Sequence, residues 1–501
     1  MNGALEPLNN QGGKDLRAIA LMGILCCCVL LAYVFLFSGF TIDDAFISFR
    51  YSANFAAGNG LVFNIGERVE GYSNFLWVLI LGFLGKMGMD IVEAAKVLGL
   101  LSLVAVIAAV YKLVRAATGD AICAMGSLLV VVTSFGLTFY ALTGMETVFF
   151  TALLTWGGYV FYRNNARVSV GLMMIATAAA LTRPEGVLFF PILIAFELAR
   201  HKRVSKRLVG NAVAFTLMYA SYLVWRYSYY GYLLPNTYYA KPPTISSRLP
   251  PVVSGFDDIY RFVTATGGPI LLACLVYMAT SRQVRKKLYP LIPVPVLVVV
   301  FQFYSGGDWM ESYRYLVPII PSYIAICVCG MWWILTKATA AKKRRLIMTG
   351  LSIVAVFNLA ESANFYFKRD SYPNFVMTSE DLIPAAKWVG NHYPASYTIV
   401  CWRIGALAYY SKLNLTDDGW GLTDEFVAHS KKEGEWNEAV REEYLAERNP
   451  ELIMTGSNRD ACLEDEIVAG GRTYDLVRHF RQGRSGWWVL YEREDLTASP
   501  R

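Results

Sequence analysis

Charge is scarce in this 501-residue chain. Asp, Glu, Lys and Arg make up 17% of it and hydrophobic residues 55%, against roughly 25% charged in an ordinary soluble domain, and the mean hydropathy is +0.38. That balance excludes a cytosolic globular enzyme and points to many membrane spans. Histidine is scarcer still: His201, His392, His429 and His479 are the whole complement, and none falls in a metal-ligand or catalytic-triad spacing. No GxGxxG or Walker sequence occurs, so nucleotide binding is not indicated, and nothing suggests a nucleic-acid partner. There is no internal repeat. The nine cysteines form neither a zinc spacing nor a disulfide framework. Seven of them (Cys26, Cys27, Cys28, Cys123, Cys274, Cys327 and Cys329) lie in apolar runs as small packing residues. Cys401 and Cys462 could pair in an oxidising compartment, provided their Cα atoms come within bridging distance.

What the chain has instead is long apolar runs. A bilayer core about 30 Å thick takes ~20 helical residues, and twelve runs between Ile19 and Leu359 are candidates. If all twelve crossed, the basic tracts Arg200–Arg207, Arg282–Lys287 and Lys337–Arg345 would lie opposite Lys14 and Arg17. Withdrawing the short run Ser73–Met87, which carries Lys86 and follows the turn-like Glu70-Gly71-Tyr72-Ser73, puts all the basic tracts on the inner side. The expectation is a polytopic α-helical membrane protein. Residues 1–362 would supply about 11 transmembrane helices, with interfacial helices in a first outer loop at 41–90. Residues 363–501 hold 16 Lys/Arg against 22 Asp/Glu and alternate helix-like with strand-like segments, so they are expected to form a soluble α/β domain. With this sidedness the chemically interesting residues and the acidic tail share the outer face.

Three constellations on that face could carry chemistry. The first is Asp43-Asp44, at the mouth of the first span. Adjacent carboxylates there are costly to desolvate; they could serve as general base and partner, hold a divalent cation such as Mg²⁺ or Mn²⁺, or, more plainly, cap a helix from Ala45 to Ala57 through Thr41 or Asp43. The second is cationic: Arg183 in LTRPEG, Lys241 in PNTYYAK and Arg314 in GGDWMESYR sit where spans meet the surface. A guanidinium fork and an ammonium together suit a phosphate, although Arg183–Glu185 and Arg314–Asp308 could equally be structural pairs. The third is the acidic, Gly-rich tail run around Trp420 and Asp424, which could bind sugar hydroxyls or form an ordinary turn.

The stretch DDAFISFRYSANFAAGNGLVFNIGERVEGYSNFLW, with Gly144-Met145-Glu146, LTRPEG, PNTYYAK, GGDWM, SYRYLVP and GLTDE in order along the chain, resembles polyprenyl-phosphate-sugar-dependent glycosyltransferases of the GT-C fold. It is most similar to the mycobacterial arabinofuranosyltransferase B family and its bacterial relatives. The resemblance implies an inverting transfer of a single sugar, arabinofuranose, from a polyprenyl-phosphate donor to an envelope glycan, lipid or glycoprotein acceptor. The site would face outward from a bacterial cytoplasmic membrane. It implies Asp43 or Asp44 as base, Arg183, Lys241 and Arg314 on the donor phosphate, and Arg50, Asn54, Glu146, Glu185, Tyr238, Asp308, Trp309 and Asp424 around acceptor and sugar. No cofactor is required, and a divalent cation at Asp43 and Asp44 stays open. An oligosaccharyltransferase or ligase moving a lipid-linked glycan, and a secondary transporter, are the competing readings.

Overall fold

The computed structural model describes residues 7–240, 251–265, 276, 280–308, 310–335, 337–368, 381–458, 464–482 and 486–497. Helix α1 (Pro7–Phe37) is followed by α2 (Asp43–Ala56) and α3 (Phe75–Lys86) of the first loop segment. Then come α4 (Ile91–Thr118), α5 (Ala121–Thr133), α6 (Phe135–Tyr140), α7 (Thr147–Arg163) and α8 (Val170–Thr182). A 3-10 turn at Pro184–Leu188 leads into α9 (Phe189–His201), α10 (Lys206–Tyr230), α11 (Asn236–Ala240), α12 (Pro251–Ala265), α13 (Arg282–Leu288) and α14 (Pro293–Ser305). Another 3-10 stretch, Glu311–Ile319, leads into α15 (Ile320–Ile334) and α16 (Ala340–Lys368).

Short polar residues set where these helices begin. The Asp90 carboxylate accepts the Glu93 amide at 3.0 Å to start α4, the Asp120 carboxylate accepts the Cys123 amide at 2.9 Å to start α5, and the Ser205 hydroxyl accepts the Leu208 amide at 3.1 Å to start α10. Gly119 and Gly231, both at positive φ, end α4 and α10. Five helices among the described residues are long and apolar enough to cross a membrane: Asp15–Phe37, Ile91–Thr118, Lys206–Tyr230, Ser312–Ile334 and Ala340–Lys368. The helical pair Arg282–Leu291 and Pro293–Ser305 is apolar enough only when taken together, and it is bent by 68° at its break, as a broken span or a re-entrant loop would be. Of the other expected crossings, the run Ala121–Leu142 is divided at Ser134 into α5 and α6, and the runs Val168–Leu181 and Val187–Ala199 form the separate helices α8 and α9 on either side of Arg183-Pro184. Helix α3, with 12 residues, rises only about 18 Å and, like α5 and α8, is an apolar helix shorter than the bilayer core.

The tail contains α17 (Ile383–His392), β1 (Thr398–Val400), α18 (Gly405–Ser411), β2 (Asn414–Thr416), α19 (Glu425–Glu433), α20 (Glu438–Arg448), β3 (Leu452–Asn458), β4 (Glu466–Ala469), β5 (Arg472–Gln482), β6 (Gly486–Arg493) and α21 (Glu494–Thr497). The strands form one sheet in the order β2-β1-β3-β6-β5-β4, parallel across β2-β1-β3 and antiparallel beyond. Its two faces serve different cores, as the two-residue alternation of a strand allows. Ile453, Val489 and Tyr491 pack with Val427, Tyr444 and Leu445 in a core of the tail's own. Leu452, Met454, Trp488 and Leu490 belong to the same continuous core as Phe46 and Trp77 of the first loop segment. The sheet is thereby fused to the membrane region through one face.

Candidate active site

Helix α2 begins at Asp43, two residues before the expected Ala45, and its N-cap is Ile42, which offers no side-chain acceptor. The capping reading of the acidic pair is therefore corrected. Asp43 does cap a helix, but a different one: its carboxylate accepts the amides of Ala406 at 2.8 Å and Gly405 at 3.2 Å, the first residues of α18. Arg50 stands two turns further along α2 and so on the same face. It donates to the carbonyls of Ala408 at 2.9 Å and Leu413 at 3.1 Å, beside the other end of α18. An anion at one end and a cation at the other complement that helix's dipole. Phe46, between them, packs its ring 5.5 and 5.4 Å from those of Tyr409 and Tyr410. Burial pushes the Asp43 carboxyl above the usual carboxylate range, against the pull of nearby Arg403 and the two amides.

Asp44, about 100° around the helix from its neighbour, escapes this arrangement. It is half-buried and makes no hydrogen bond or ion pair among the described residues, and Arg314 lies within electrostatic range of it. The Arg314 guanidinium grips Asp308 through both oxygens, Nε at 2.7 Å and Nη2 at 3.1 Å. Arg183 is held between Glu185, 2.5 Å from Nε, and Glu146, 2.7 Å from Nη1. Both guanidiniums lie against the Tyr315 ring, Arg314 at 4.9 Å and Arg183 at 5.3 Å from its centroid. Asp44, Arg183 and Arg314 therefore share one neighbourhood. The two ion pairs are those the sequence allowed, yet each guanidinium commits only two of its five N–H donors to its carboxylates.

A second layer fixes Glu146. Its remaining oxygen accepts from Asn74 Nδ2 at 2.8 Å, and the Asn74 amide also bonds the Ser48 hydroxyl at 3.0 Å, so the helix carrying Asp44 is tied to the one carrying Glu146. The buried Oε2 of Glu185 and the hydroxyl of Thr147 have no partner among the described residues. Backbone strain marks the segment that aims Arg314: Ser312 and Tyr313 adopt φ of 60° and 53°, where a side chain costs roughly 1–2 kcal/mol per residue.

Other expected site residues lie elsewhere. Arg50 is spent on α18, and Asn54 donates to the carbonyls of Val62 at 2.8 Å and Phe63 at 2.9 Å; both build the scaffold of the loop, and the sugar-binding role expected of them is not carried forward. Asp424 caps α19 through the Val427 amide at 3.1 Å and accepts from Tyr444 and Arg448. Tyr238 is exposed beneath the Lys432 ammonium. Lys241, Trp309 and Cys462 lie outside the described residues, while Cys401 is a buried free thiol. Among the described residues no group of three His, Cys, Asp or Glu side chains could hold a metal ion. Asp43 aims both oxygens at backbone amides, so the two adjacent aspartates do not converge on a cation.

The residues that complete the pocket without having been singled out are Asn74, Ser48 and Tyr315. Asn74 lies inside the quoted EGYSN stretch, and Tyr315 directly follows Arg314.

A family model described as a domain of unknown function (DUF8728) matches residues 374–491. A terminal β-(1→2)-arabinofuranosyltransferase of Mycobacterium tuberculosis is 30% identical over 316 residues, which cover 55% of this chain and 50% of the relative. The chain thus aligns with half the length of that curated relative. Among solved structures, ArnT from Cupriavidus metallidurans, in the apo state and bound to undecaprenyl phosphate, matches with a TM-score of 0.58 over 96% of this chain and 99% of ArnT, at 12% and 13% identity. The fold is that of ArnT, the GT-C membrane architecture expected from the sequence, and the chain is a multi-pass membrane protein.

Proposed function

We propose that this GT-C-fold membrane protein is an inverting glycosyltransferase that moves one sugar, arabinofuranose, from a polyprenyl-phosphate donor to an acceptor glycan on the outer side of a bacterial cytoplasmic membrane. Asp44 acts as general base. The observation that carries this reading is the unequal fate of the two aspartates: Asp43 is consumed by backbone amides, while Asp44 has no partner among the described residues and lies within electrostatic range of Arg314. The similarity to an arabinofuranosyltransferase supports the sugar, and the undecaprenyl phosphate held by ArnT supports the lipid class of the donor.

The Asp44 carboxylate takes the proton of the acceptor hydroxyl as that oxygen bonds to the anomeric carbon. The anomeric C–O bond to phosphate breaks in the same displacement, its electron pair leaving on the polyprenyl phosphate, and the anomeric centre inverts. Charge builds on that leaving phosphate, where guanidinium donors preset by carboxylates cost little reorganisation. Around the pocket four carboxylates (Asp44, Glu146, Glu185, Asp308) meet two guanidiniums, Arg183 and Arg314. A dianionic phosphate needs a further cation, the role assigned to Lys241. The unpartnered Glu185 oxygen and Thr147 hydroxyl suit hydroxyls of the transferred sugar.

The test is full-length protein in lipid nanodiscs given decaprenyl-phosphoarabinose and an arabinofuranosyl acceptor, with linkage analysis of the product. Transfer lost in Asp44→Asn is expected. Undiminished transfer by Asp44→Asn, or activity only with pyrophosphate-linked glycans, would overturn the reading.

A further inference from the structure

Helix α12 meets its neighbours along one stripe. Gly255, Asp258 and Phe262 follow one another at steps of three and four residues and so share a face. At Gly255 the helix lies backbone to backbone against α14: a Cβ there would stand 2.7 Å from the main-chain oxygen of Gln302. Three residues on, the half-buried Asp258 carboxylate accepts the Gln302 side-chain amide at 2.9 Å and the Asp308 main-chain amide at 3.2 Å, both on Oδ2. Four residues further, the Phe262 ring meets that of Tyr313 edge-on, with 5.9 Å between centroids.

These contacts bracket the segment that carries Arg314. The segment leaves α14 through Gly306 and Gly307, at φ of 73° and 105°, where the absence of side chains gives the backbone wide freedom. It returns through Ser312 and Tyr313, whose left-handed backbone holds only where the surroundings over-determine it. Asp308 stands between these two ends, and both of its oxygens take the Arg314 guanidinium. Where Asp308 sits therefore decides where Arg314 points. The glycine turn is seated directly on Asp258, since a Cβ on Gly307 would run into that same Oδ2, and the buried Gln302 steadies Asp258 from α14.

We propose that Asp258 is a positioning residue for sugar transfer, one that sets the Arg314 guanidinium against the leaving phosphate by holding the Asp308 amide. The proposal rests on the glycosyl-transfer reading above. Both hydrogen bonds end on one oxygen, which has lone pairs for two donors, so the site uses an acceptor at one point in space rather than a charge. Asparagine presents a carbonyl oxygen at the same reach. Glutamate keeps the charge but carries its oxygens one methylene further, toward a turn with no room for a Cβ at Gly307. A role in charge ranks Asp258→Glu above Asp258→Asn; a role in position ranks them the other way.

The experiment uses full-length protein in nanodiscs with decaprenyl-phosphoarabinose and an arabinofuranosyl acceptor, with turnover counted per folded protein so that lost yield does not register. Asp258→Ala and Asp258→Glu are expected to lower kcat about 10–100-fold. The acceptor KM should stay within about twofold of wild type, as for an interaction used in the transition state. Asp258→Asn is expected to keep kcat within about threefold, because the acceptor oxygen remains. Should Asp258→Ala fail to fold, the order of Asn and Glu decides. Glu at or above Asn, or folded Ala and Glu variants with wild-type kcat, overturns the assignment. Separately, hydrogen exchange without donor or acceptor reads the Asp308 amide. Exchange about tenfold faster in Asp258→Ala but not in Asp258→Asn supports the hold, and unchanged protection in Asp258→Ala overturns it. Faster exchange in a protein that transfers no arabinose would sink the transfer reading and leave the hold on Asp308 standing; wild-type turnover by Asp258→Ala and Asp258→Glu would do the reverse.

Discussion

The carboxylate of Asp43 accepts the amide of Ala406 at 2.8 Å across 363 positions of sequence. With Arg50 holding the carbonyls of Ala408 and Leu413, it makes α2 and α18 one mechanical unit. Asp44 is carried on the side of α2 that this union leaves open.

Adjacent and chemically identical, the two aspartates should separate under the same substitution. Asp43→Asn removes the charge but keeps one acceptor, costing about 1–2 kcal/mol of stability, with transfer reduced but measurable. Asp44→Asn should leave thermal unfolding unchanged and reduce transfer by ~10²–10⁴. Melting curves and turnover measured on the same two preparations check both.

Gly405 is where this union tolerates no side chain, since a Cβ there would stand 1.9 Å from the main-chain oxygen of Asp43. Backbone must move, so Gly405→Ala should cost about 1–3 kcal/mol and depress transfer without touching any pocket residue. Because both changes disturb one contact, Asp43→Asn with Gly405→Ala should cost less than the sum of the two. A double-mutant cycle on unfolding midpoints measures this.

Arg183 neutralises two buried carboxylates at once. Arg183→Ala should destabilise by roughly 3–5 kcal/mol because Glu146 and Glu185 are left unpaired. Arg183→Lys keeps the charge but loses the fork, so folded protein with strongly reduced transfer is expected. Expression yield and activity distinguish the two outcomes.

Asp417 is buried in the tail, where desolvation raises its carboxyl to about 6 even though the amides of Trp420 and Leu422 bond it at 2.8 and 2.6 Å. A carboxyl raised in the folded state contributes stability that is fully present below its ordinary value near 3.8 and lost as pH rises through about 6. Unfolding midpoints should therefore fall with pH across that window by less in Asp417→Asn than in wild type. An equal slope in both would show that this group is not the source.

Asn236 offers an amide to three carbonyls of the Gly421–Asp424 turn. Asn236→Asp, which turns a donor toward acceptors into another acceptor, should loosen the turn more than Asn236→Ala does. Hydrogen exchange at residues 421–425 reads the difference.

Much of this was legible because it was local. In the tail sequence Asp381–Tyr393 is amphipathic, Tyr397–Cys401 is a run of β-formers and Glu438–Arg448 is helix-like, and these stretches hold α17, β1 and α20. Strand β5 escaped notice because Arg472–Gln482 is too polar to show an apolar period, although Gly470-Gly471, both at positive φ, is a hairpin signal. The break in the run Ala121–Leu142 escaped because hydropathy averages across Ser134 without registering a change of direction. At the pocket, residue type pointed to the acidic pair and the two arginines. No local pattern could say which aspartate is taken, because that is decided by Gly405 and Ala406 in another part of the chain.

Translation proceeds at ~5–20 residues per second, so the 363 positions separating Asp43 from Ala406 correspond to roughly 20–70 s. During that interval the nascent chain can insert its early membrane helices, and α2 is held through Ser48 and Asn74 to Glu146, but it lacks its union with α18. The arrangement in which Asp43 is consumed and Asp44 is left open is then a property of a chain extended beyond Ala406, and a product truncated before that residue lacks it.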